Sequence, residues 1–396
     1  SSTGPLAGVR VIELGGIGPG PHAAMVLADL GADVVRVRRP SGGLRVAAEN
    51  IDLFHRGKRV VDLDMKSQRQ ALLDLVAKAD VLLDCFRPGT CERLGIGPEA
   101  CAALNPRLIF ARMTGWGQEG PLASTAGHDI NYLSQTGALN AIGFRDRRPV
   151  VPLNLVADFG GGSMLVLLGI VAALYEREKS GLGQVVDAAI VDGVASLMTQ
   201  PHGTFAAGMM TNERGTNVTD SGAPFYDVYE CADRRWISLA PVERKFYAEA
   251  LRILGLPELL SKQWDRQAWP EAKDRIAAVV RTRTQAQWCE AFQGVEACFA
   301  PVLTLDEAPE HPHLKARGTY VEVDGVVQPM PAPWPVPPGT KAEHSSEMKP
   351  ATVSQNEMLF MRGKAMSGAP IMIGTNQLPK PPMIAGMTMK NTMIRP

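Results

Sequence analysis

Through the first two hundred positions, short runs of β-branched and aliphatic residues alternate with longer stretches whose apolar positions recur every three or four residues. Val9 to Leu14 is a compact apolar run, Gly15 to Pro21 a turn, His22 to Leu30 an Ala- and Leu-rich helical stretch, and Val34-Val35-Arg36-Val37 a second strand. Together they predict a βαβ unit. Further strands are predicted at Val81-Leu82-Leu83, Leu108-Ile109-Phe110-Ala111 and Val185-Val186-Asp187-Ala188, separated by helical patterns such as Arg69 to Ala79. The alternation predicts an α/β fold: an open parallel, Rossmann-like sheet with helices on both faces, in a large domain over residues 1–200.

Periodicity fades over residues 201–224, where Gly, Thr and Asn gather as in a linker. Residues 225–320 mix a short strand, Trp236-Ile237-Ser238-Leu239, with helical patterns at Phe246 to Leu254 and Glu271 to Arg281, and so predict a small α+β domain. Residues 321–396 read as a return segment, Pro-rich from Pro329 to Pro338, that ends in a divergent tail holding nine of the 17 methionines.

With 396 residues, 45% of them hydrophobic, the chain can bury the cores of two domains. Its 41 basic and 41 acidic residues cancel, so no global field recruits nucleic acid or an anionic membrane, and neither is expected as a partner. An anionic ligand must be held by local cations. The apolar run from Met164 to Tyr175 has about half the length of a bilayer-spanning helix and predicts a buried one. The first residues lack a basic-then-apolar signal pattern. Six cysteines without a Cys-x-x-Cys pair indicate neither a zinc site nor a disulfide framework, so reduced thiols and a cytoplasmic location are expected.

Gly16, Gly18 and Gly20 give Gly-x-Gly-x-Gly, stiffened by Pro19 and Pro21. This is not the Gly-x-Gly-x-x-Gly dinucleotide fingerprint, and the reading is a tight turn feeding a helix whose N-terminus points into a cleft. More chemistry lies in Gly127-His128-Asp129-Ile130-Asn131-Tyr132 and, thirty positions after the histidine, Asp158-Phe159-Gly160-Gly161-Gly162. An imidazole exchanges protons near neutral pH, and a carboxylate across a substrate carbon from it can serve the opposite face. For that, Asp158 needs a raised pKa, which burial supplies. The glycines are expected to form a flexible loop before the apolar helix, where the N–H groups of Gly160 and Gly161 meet developing negative charge; easing helix packing is the competing use.

The strings Ala111 to Gln118, Ala126 to Tyr132 and Pro152 to Phe159 resemble the alpha-methylacyl-CoA racemases of the family III CoA-transferase superfamily. Similarity recurs in order at residues 11–14, 18–21, 29–37, 181–188, 222–226 and 297–303, and spans roughly residues 5 to 335. The resemblance implies interconversion of (R)- and (S)-2-methylacyl-CoA thioesters through an enolate, with His128 and Asp158 as the proton-transfer pair. It implies that Glu243, from the small domain, hydrogen-bonds the catalytic histidine, although only Glu243, Phe246 and Tyr247 of the family's string persist around it. For the coenzyme it implicates Arg39, Leu63, Asp64, Met65, Lys66, Arg87, Arg93, Ala126, Gly127, Asp129, Ile130, Asn131 and Tyr132. No separate cofactor is implied, since coenzyme A is part of the substrate. It also implies an interlocked homodimer, the small domain of one subunit closing the large domain of the other. The rivals are a CoA transferase with Asp158 as nucleophile and an acyl-CoA-binding homologue without catalysis. The histidine in Gly-His-Asp-Ile-Asn-Tyr favours the racemase, because a transferase needs no second base.

Overall fold

The computed structural model describes residues 4–40 and 51–332; the methionine-rich tail and the Pro-rich return segment beyond residue 332 lie outside them. Six parallel strands form the main sheet: β1 (Arg10–Leu14), β2 (Asp33–Arg38), β3 (Lys58–Asp62), β4 (Val81–Asp84), β5 (Ile109–Thr114) and β6 (Val185–Ala189), in the order β3-β2-β1-β4-β5-β6. The order reverses between β1 and β4, which opens a crevice beyond their carboxyl ends. In register, Val11 faces Val34 on one side and Val81 on the other. β3 is the strand that hydrophobic patterning misses. It pairs with β2 at the sheet edge, and three of its five residues are charged.

Strand alternation divides the core between the two sheet faces. Val11, Val34, Val81 and Ile109 bury with Ala23, Ala24 and Leu27 of the helix Pro19–Asp29 and with Val166, Ile170 and Ala173 of the helix Met164–Ser180. Ile12, Leu14, Leu82 and Phe110 meet Leu72 and Val76 of the helix Arg69–Val76 and Cys101 of Pro98–Leu104. Each such aliphatic side chain contributes about 1.5–3 kcal/mol of burial.

Charged residues are also buried beneath the crevice. Glu13 on β1 has no solvent exposure and accepts from Arg36 on β2 and from Lys58 Nζ on β3, the latter at 2.7 Å. Arg36 Nη2 also donates to the Gly16 carbonyl (3.1 Å) and Lys58 Nζ to the Pro21 carbonyl (2.8 Å). Both ends of the Gly-Pro turn are thereby tied to the sheet. Pro19, at the first helical position, adds a φ already suited to the helix.

The glycine-rich stretch is not a loop. Leu155–Ser163 is a π-helix that runs on into Met164–Ser180, giving one helical run over Leu155–Ser180. Glycine is required here for packing against the helix Ile190–Leu197: a Cβ on Gly193 would lie 1.8 Å from the Gly161 carbonyl oxygen, and one on Gly161 would lie 2.8 Å from the Val194 nitrogen. The expectation that Gly160 and Gly161 offer free N–H groups is therefore corrected. Both amides lie inside the helix rather than in its first turn, where unpaired donors occur. The expected buried helix is corrected as well. Met164, Leu168 (63% exposed), Val171 and Tyr175 (66% exposed) form a solvent-facing apolar stripe at helical spacing. With the preceding turns, the run is long and apolar enough by length and composition to cross a bilayer, while Val166, Ile170 and Ala173 pack on the sheet.

A further core is built from Phe225, Tyr229, Ile237, Leu239, Tyr247, Leu251, Trp269, Ile276 and Trp288. It lies between the antiparallel sheet β7 (Asp227–Glu230), β8 (Trp236–Leu239) and β9 (Phe299–Pro301) and the helices Arg244–Leu254, Trp269–Val280 and Gln285–Ala291. The helix Thr199–Ala206 occupies the start of the stretch that lacks sequence periodicity. After β9 the chain forms the hairpin β10 (Tyr320–Val323) and β11 (Val326–Pro329). Arg56 ties that hairpin to the first helix, pairing with Asp29 (2.6 Å) while donating to the Pro329 carbonyl (2.7 Å).

Because backbone, not a flexible side chain, fills the space at Gly193, Gly193→Ala should cost about 2–3 kcal/mol, read as a lower urea midpoint. A midpoint within error of the parent would contradict the packing role.

Candidate active site

The site is assembled at the carboxyl edge of the parallel sheet. β5 ends at Thr114, whose Oγ1 accepts the Gly117 amide (3.0 Å) and turns the chain through Gly115-Trp116. Tyr132 then wedges into this turn. A Cβ on Gly115 would lie 2.1 Å from the Tyr132 ring, the Tyr132 hydroxyl donates to the Gly127 carbonyl, and the Trp116 and Tyr132 rings meet edge to face at 4.8 Å. Glycines at 115 and 127 are what let the ring approach the backbone so closely.

That wedge fixes His128, which takes an extended conformation as N-cap of the helix Asp129–Gln135, with its amide donating to Asn131 Oδ1 at 3.0 Å. The imidazole is exposed. The next residue, Asp129, is only 5% exposed, and its Oδ2 accepts the amides of Ala157 (3.0 Å) and Asp158 (2.8 Å). These are amides near the start of the π-helix, so Asp129 caps the element that carries Asp158. Asp129 Oδ1 has no hydrogen-bond partner among the described residues.

Asp158 sits between three elements. Burial raises its carboxyl above the ordinary range and the Asp129 charge adds to the rise, while a hydrogen bond from Asn154 and the proximity of His128 oppose it. Tyr132 lies in the same field, pushed up to about 12 by burial and by the Asp158 charge, with Arg87 pulling the other way. From the opposite side, a Cβ on Gly18 (φ 67°) would lie 3.4 Å from Asp158 Oδ2, so the Gly-Pro turn borders the carboxyl directly. His128, Asp158 and Tyr132 thus share one crevice.

Glu243 stands apart in this chain. It is exposed at the N-cap position of the helix Arg244–Leu254, where its charge reaches Cys298 rather than His128. The coenzyme candidates are brought to one edge. Arg39 follows β2, Leu63 to Lys66 follow β3, and Arg87 follows β4; Arg39, Arg87, Arg93, Asp64 and Lys66 are exposed, as are Ala126, Ile130 and Asn131, with Gly127 half-buried. The side chains of Leu63 and Met65 are a correction. Both are buried in the core with Leu72 and Val76, so only their backbone is left to face a ligand. The Asp64 carboxylate is engaged by the Lys66 amide (3.0 Å) and the Ser67 hydroxyl (2.8 Å), shaping a turn. Asp129 is likewise a structural acceptor, its side chain turned inward.

Sequence patterning missed the wall next to Asp158. His22 and Phe54 pack with Phe159, at ring-centroid distances of 4.9 Å for His22–Phe159 and 5.9 Å for Phe54–Phe159. His22 Nδ1 meets the buried Ser163 Oγ at 2.6 Å, and burial, with Arg56 and Lys58 nearby, lowers its pKa. The available signal was the histidine directly after the Gly-Pro turn.

A crevice at a parallel-sheet switch point, bordered by an imidazole and a carboxyl and rimmed by exposed cations, suits an anionic ligand. The chain belongs to CoA-transferase family III, whose pattern matches residues 6–351. Within it, the chain is similar to the alpha-methylacyl-CoA racemase of Mus musculus, 45% identical over 349 residues that cover 87% of this chain and 90% of the mouse protein. The Homo sapiens protein of the same name is 44% identical over 332 residues, covering 83% and 86%. A crystal structure of a CAIB/BAIF family protein from Brucella suis is 27% identical with a TM-score of 0.69, over 83% of this chain and 91% of that one.

The raised Asp158 carboxyl makes a stability prediction. Its favourable contribution to folding is full below the unfolded pKa and is lost as pH rises through the folded one. Asp158→Asn should match the parent below about pH 4 and exceed it in urea midpoint at neutral pH and above. A gain that is equal at all pH values would refute the assigned cause.

Proposed function

We propose that this protein interconverts the (R)- and (S)-epimers of 2-methylacyl-CoA thioesters by proton removal and return at the α-carbon. The observation that carries this reading is the pairing, in one crevice, of an exposed imidazole with a partly buried carboxyl raised above its ordinary range. A thioester acidifies its α-hydrogen, and removal leaves a planar enolate that accepts a proton on either face. From one epimer, neutral His128 takes the proton and protonated Asp158 supplies another from the opposite side; from the other epimer the roles reverse. Each turnover inverts the protonation state of the pair, which solvent exchange or the reverse reaction resets.

Exposed Arg39, Lys66, Arg87 and Arg93 neutralise the phosphates of the coenzyme, and the backbone of residues 126–131 guides the pantetheine arm. No cofactor beyond the coenzyme A of the substrate enters the reaction. The six cysteines are unpaired, which suits a reducing compartment such as the cytoplasm.

The same reading takes the protein as an interlocked homodimer in which Glu243 of one copy meets His128 of the other. Supporting it, both side chains are exposed in the single chain, and the apolar stripe of Leu168, Val171 and Tyr175 offers area for burial.

One epimer of a 2-methylacyl-CoA incubated in deuterated water should drift toward both epimers while gaining deuterium at the α-carbon. Transfer of the acyl thioester to an added carboxylate, with the epimer unchanged, would replace the racemase by a transferase. His128→Ala should lose about 10²–10⁴-fold in exchange rate yet still bind coenzyme A.

The dimer has its own test. Mixed after unfolding and refolding together, inactive His128→Ala and Glu243→Ala chains should regain activity, because a heterodimer holds one intact site. Absence of recovery, or a solution mass of one 42.6 kDa chain, would overturn it.

A further inference from the structure

The coenzyme-facing stretch contains one side chain that faces the wrong way for a ligand. Asp129 lies between His128 and Ile130, both exposed, yet is itself 5% exposed and turned beneath the crevice. Its Oδ2 receives two consecutive backbone amides, Ala157 at 3.0 Å and Asp158 at 2.8 Å, from a different element. Its Oδ1 is buried with no partner among the described residues. An ionised carboxylate is costly to bury with one oxygen unsatisfied. A purely structural link between the helix Asp129–Gln135 and the π-helix needs only a neutral acceptor, which asparagine supplies. The charge therefore requires a separate account.

Four groups face Asp158. From the helix Asp129–Gln135 and its cap come Asp129, His128 and Tyr132; the cap of its own helix contributes Asn154. Arg87, beyond β4, acts on Tyr132; the Gly-Pro turn brings the backbone of Gly18, and the helix after it brings His22, packed on Phe159 next to Asp158. Asp129 is the anion among them, and it is held by the amide of Asp158 itself. The Asp129 carboxylate thus holds the backbone from which the Asp158 side chain projects.

We propose that Asp129 is a positioning residue for Asp158: its carboxylate clamps the turn that carries Asp158 and keeps a fixed negative charge behind that carboxyl. The inference rests on the racemase reading for its kinetic consequence, but not for its physical one. The negative charge favours the protonated form of Asp158. That form is the one that must deliver a proton to the enolate when His128 has removed one.

The test compares Asp129→Asn, which keeps an acceptor and loses the charge, with Asp129→Glu, which keeps both. In Asp129→Asn the Asp158 carboxyl should titrate at lower pH than in the parent, followed by the carbon-13 shift of labelled aspartate with Asp158→Asn as the assignment control. In kinetics, the limbs that report Asp158 should both move to lower pH: the acidic limb where Asp158 removes the proton, the alkaline limb where it supplies one. KM should stay near the parent value while kcat falls, and Asp129→Glu should return the limbs toward the parent. Asp129→Ala, which frees the two amides, should lose about 100-fold in kcat, the scale of a 1 Å misplacement.

An unmoved Asp158 titration in folded Asp129→Asn overturns the inference. If Asp129→Asn does not fold, Asp129→Ser, which likewise keeps an oxygen acceptor and loses the charge, takes its place: a lowered Asp158 titration supports the charge, and an unmoved one overturns it. If the parent exchanges no α-hydrogen while its Asp158 titration still responds to residue 129, the racemase reading fails and this inference stands.

Discussion

A buried carboxylate on the first strand, Glu13, holds the site together from below. It takes Arg36 from β2 and Lys58 from β3, so three adjacent strands share one charge cluster out of water. Such clusters gain little stability over a well-packed apolar set, but removing one member leaves an uncompensated charge. What the cluster adds here is geometry. Its two cations also grip the carbonyls of Gly16 and Pro21, so the Gly-Pro turn is held at both ends. The middle of that turn, Gly18, is the backbone that borders Asp158.

The other wall of the crevice is fixed differently. Tyr132 wedged against Gly115 and Gly127 sets where His128 begins its helix, and Asp129 then takes the amides of Ala157 and Asp158. The placements of His128 and Asp158 are therefore not independent. One short helix presents the imidazole on its outer side and grips the partner's backbone on its inner side. The proton transfer proposed for this pair depends on such coupling, since errors in their separation would reduce transfer steeply.

Much of this was readable from the chain. Apolar runs at β1, β2, β4, β5 and β6 gave a parallel α/β sheet, most clearly at β1 and β4, which are buried nearly throughout and carry near-continuous aliphatic residues. β3 escaped the same reasoning, since an edge strand with Lys58, Arg59 and Asp62 has no such run. His128 and Asp158 stood out because their motifs carry chemistry at identifiable positions. The triple glycine misled: Gly160-Gly161-Gly162 reads as a loop, but helix-to-helix contact at Gly161 and Gly193 overrides the weak local propensity of glycine. The inward turn of the Asp129 side chain escaped the sequence for a related reason. Its neighbours face solvent, and no period in so short a helix tells which side chain turns inward.

The π-helical turns at Leu155–Ser163 fix an angular phase. Each π turn holds more residues than an α turn, so side chains before it are rotated relative to those after it. Met164–Ser180 is anchored to the sheet by Val166, Ile170 and Ala173, which leaves the phase of the preceding turns to decide where Asp158 points. Deleting a single glycine from this stretch would swing Asp158 about the helix axis by a substantial fraction of a turn, out of the crevice and away from the imidazole. In this chain, the number of residues between the carboxylate and the apolar helix is thus as much a part of the site as the carboxylate itself.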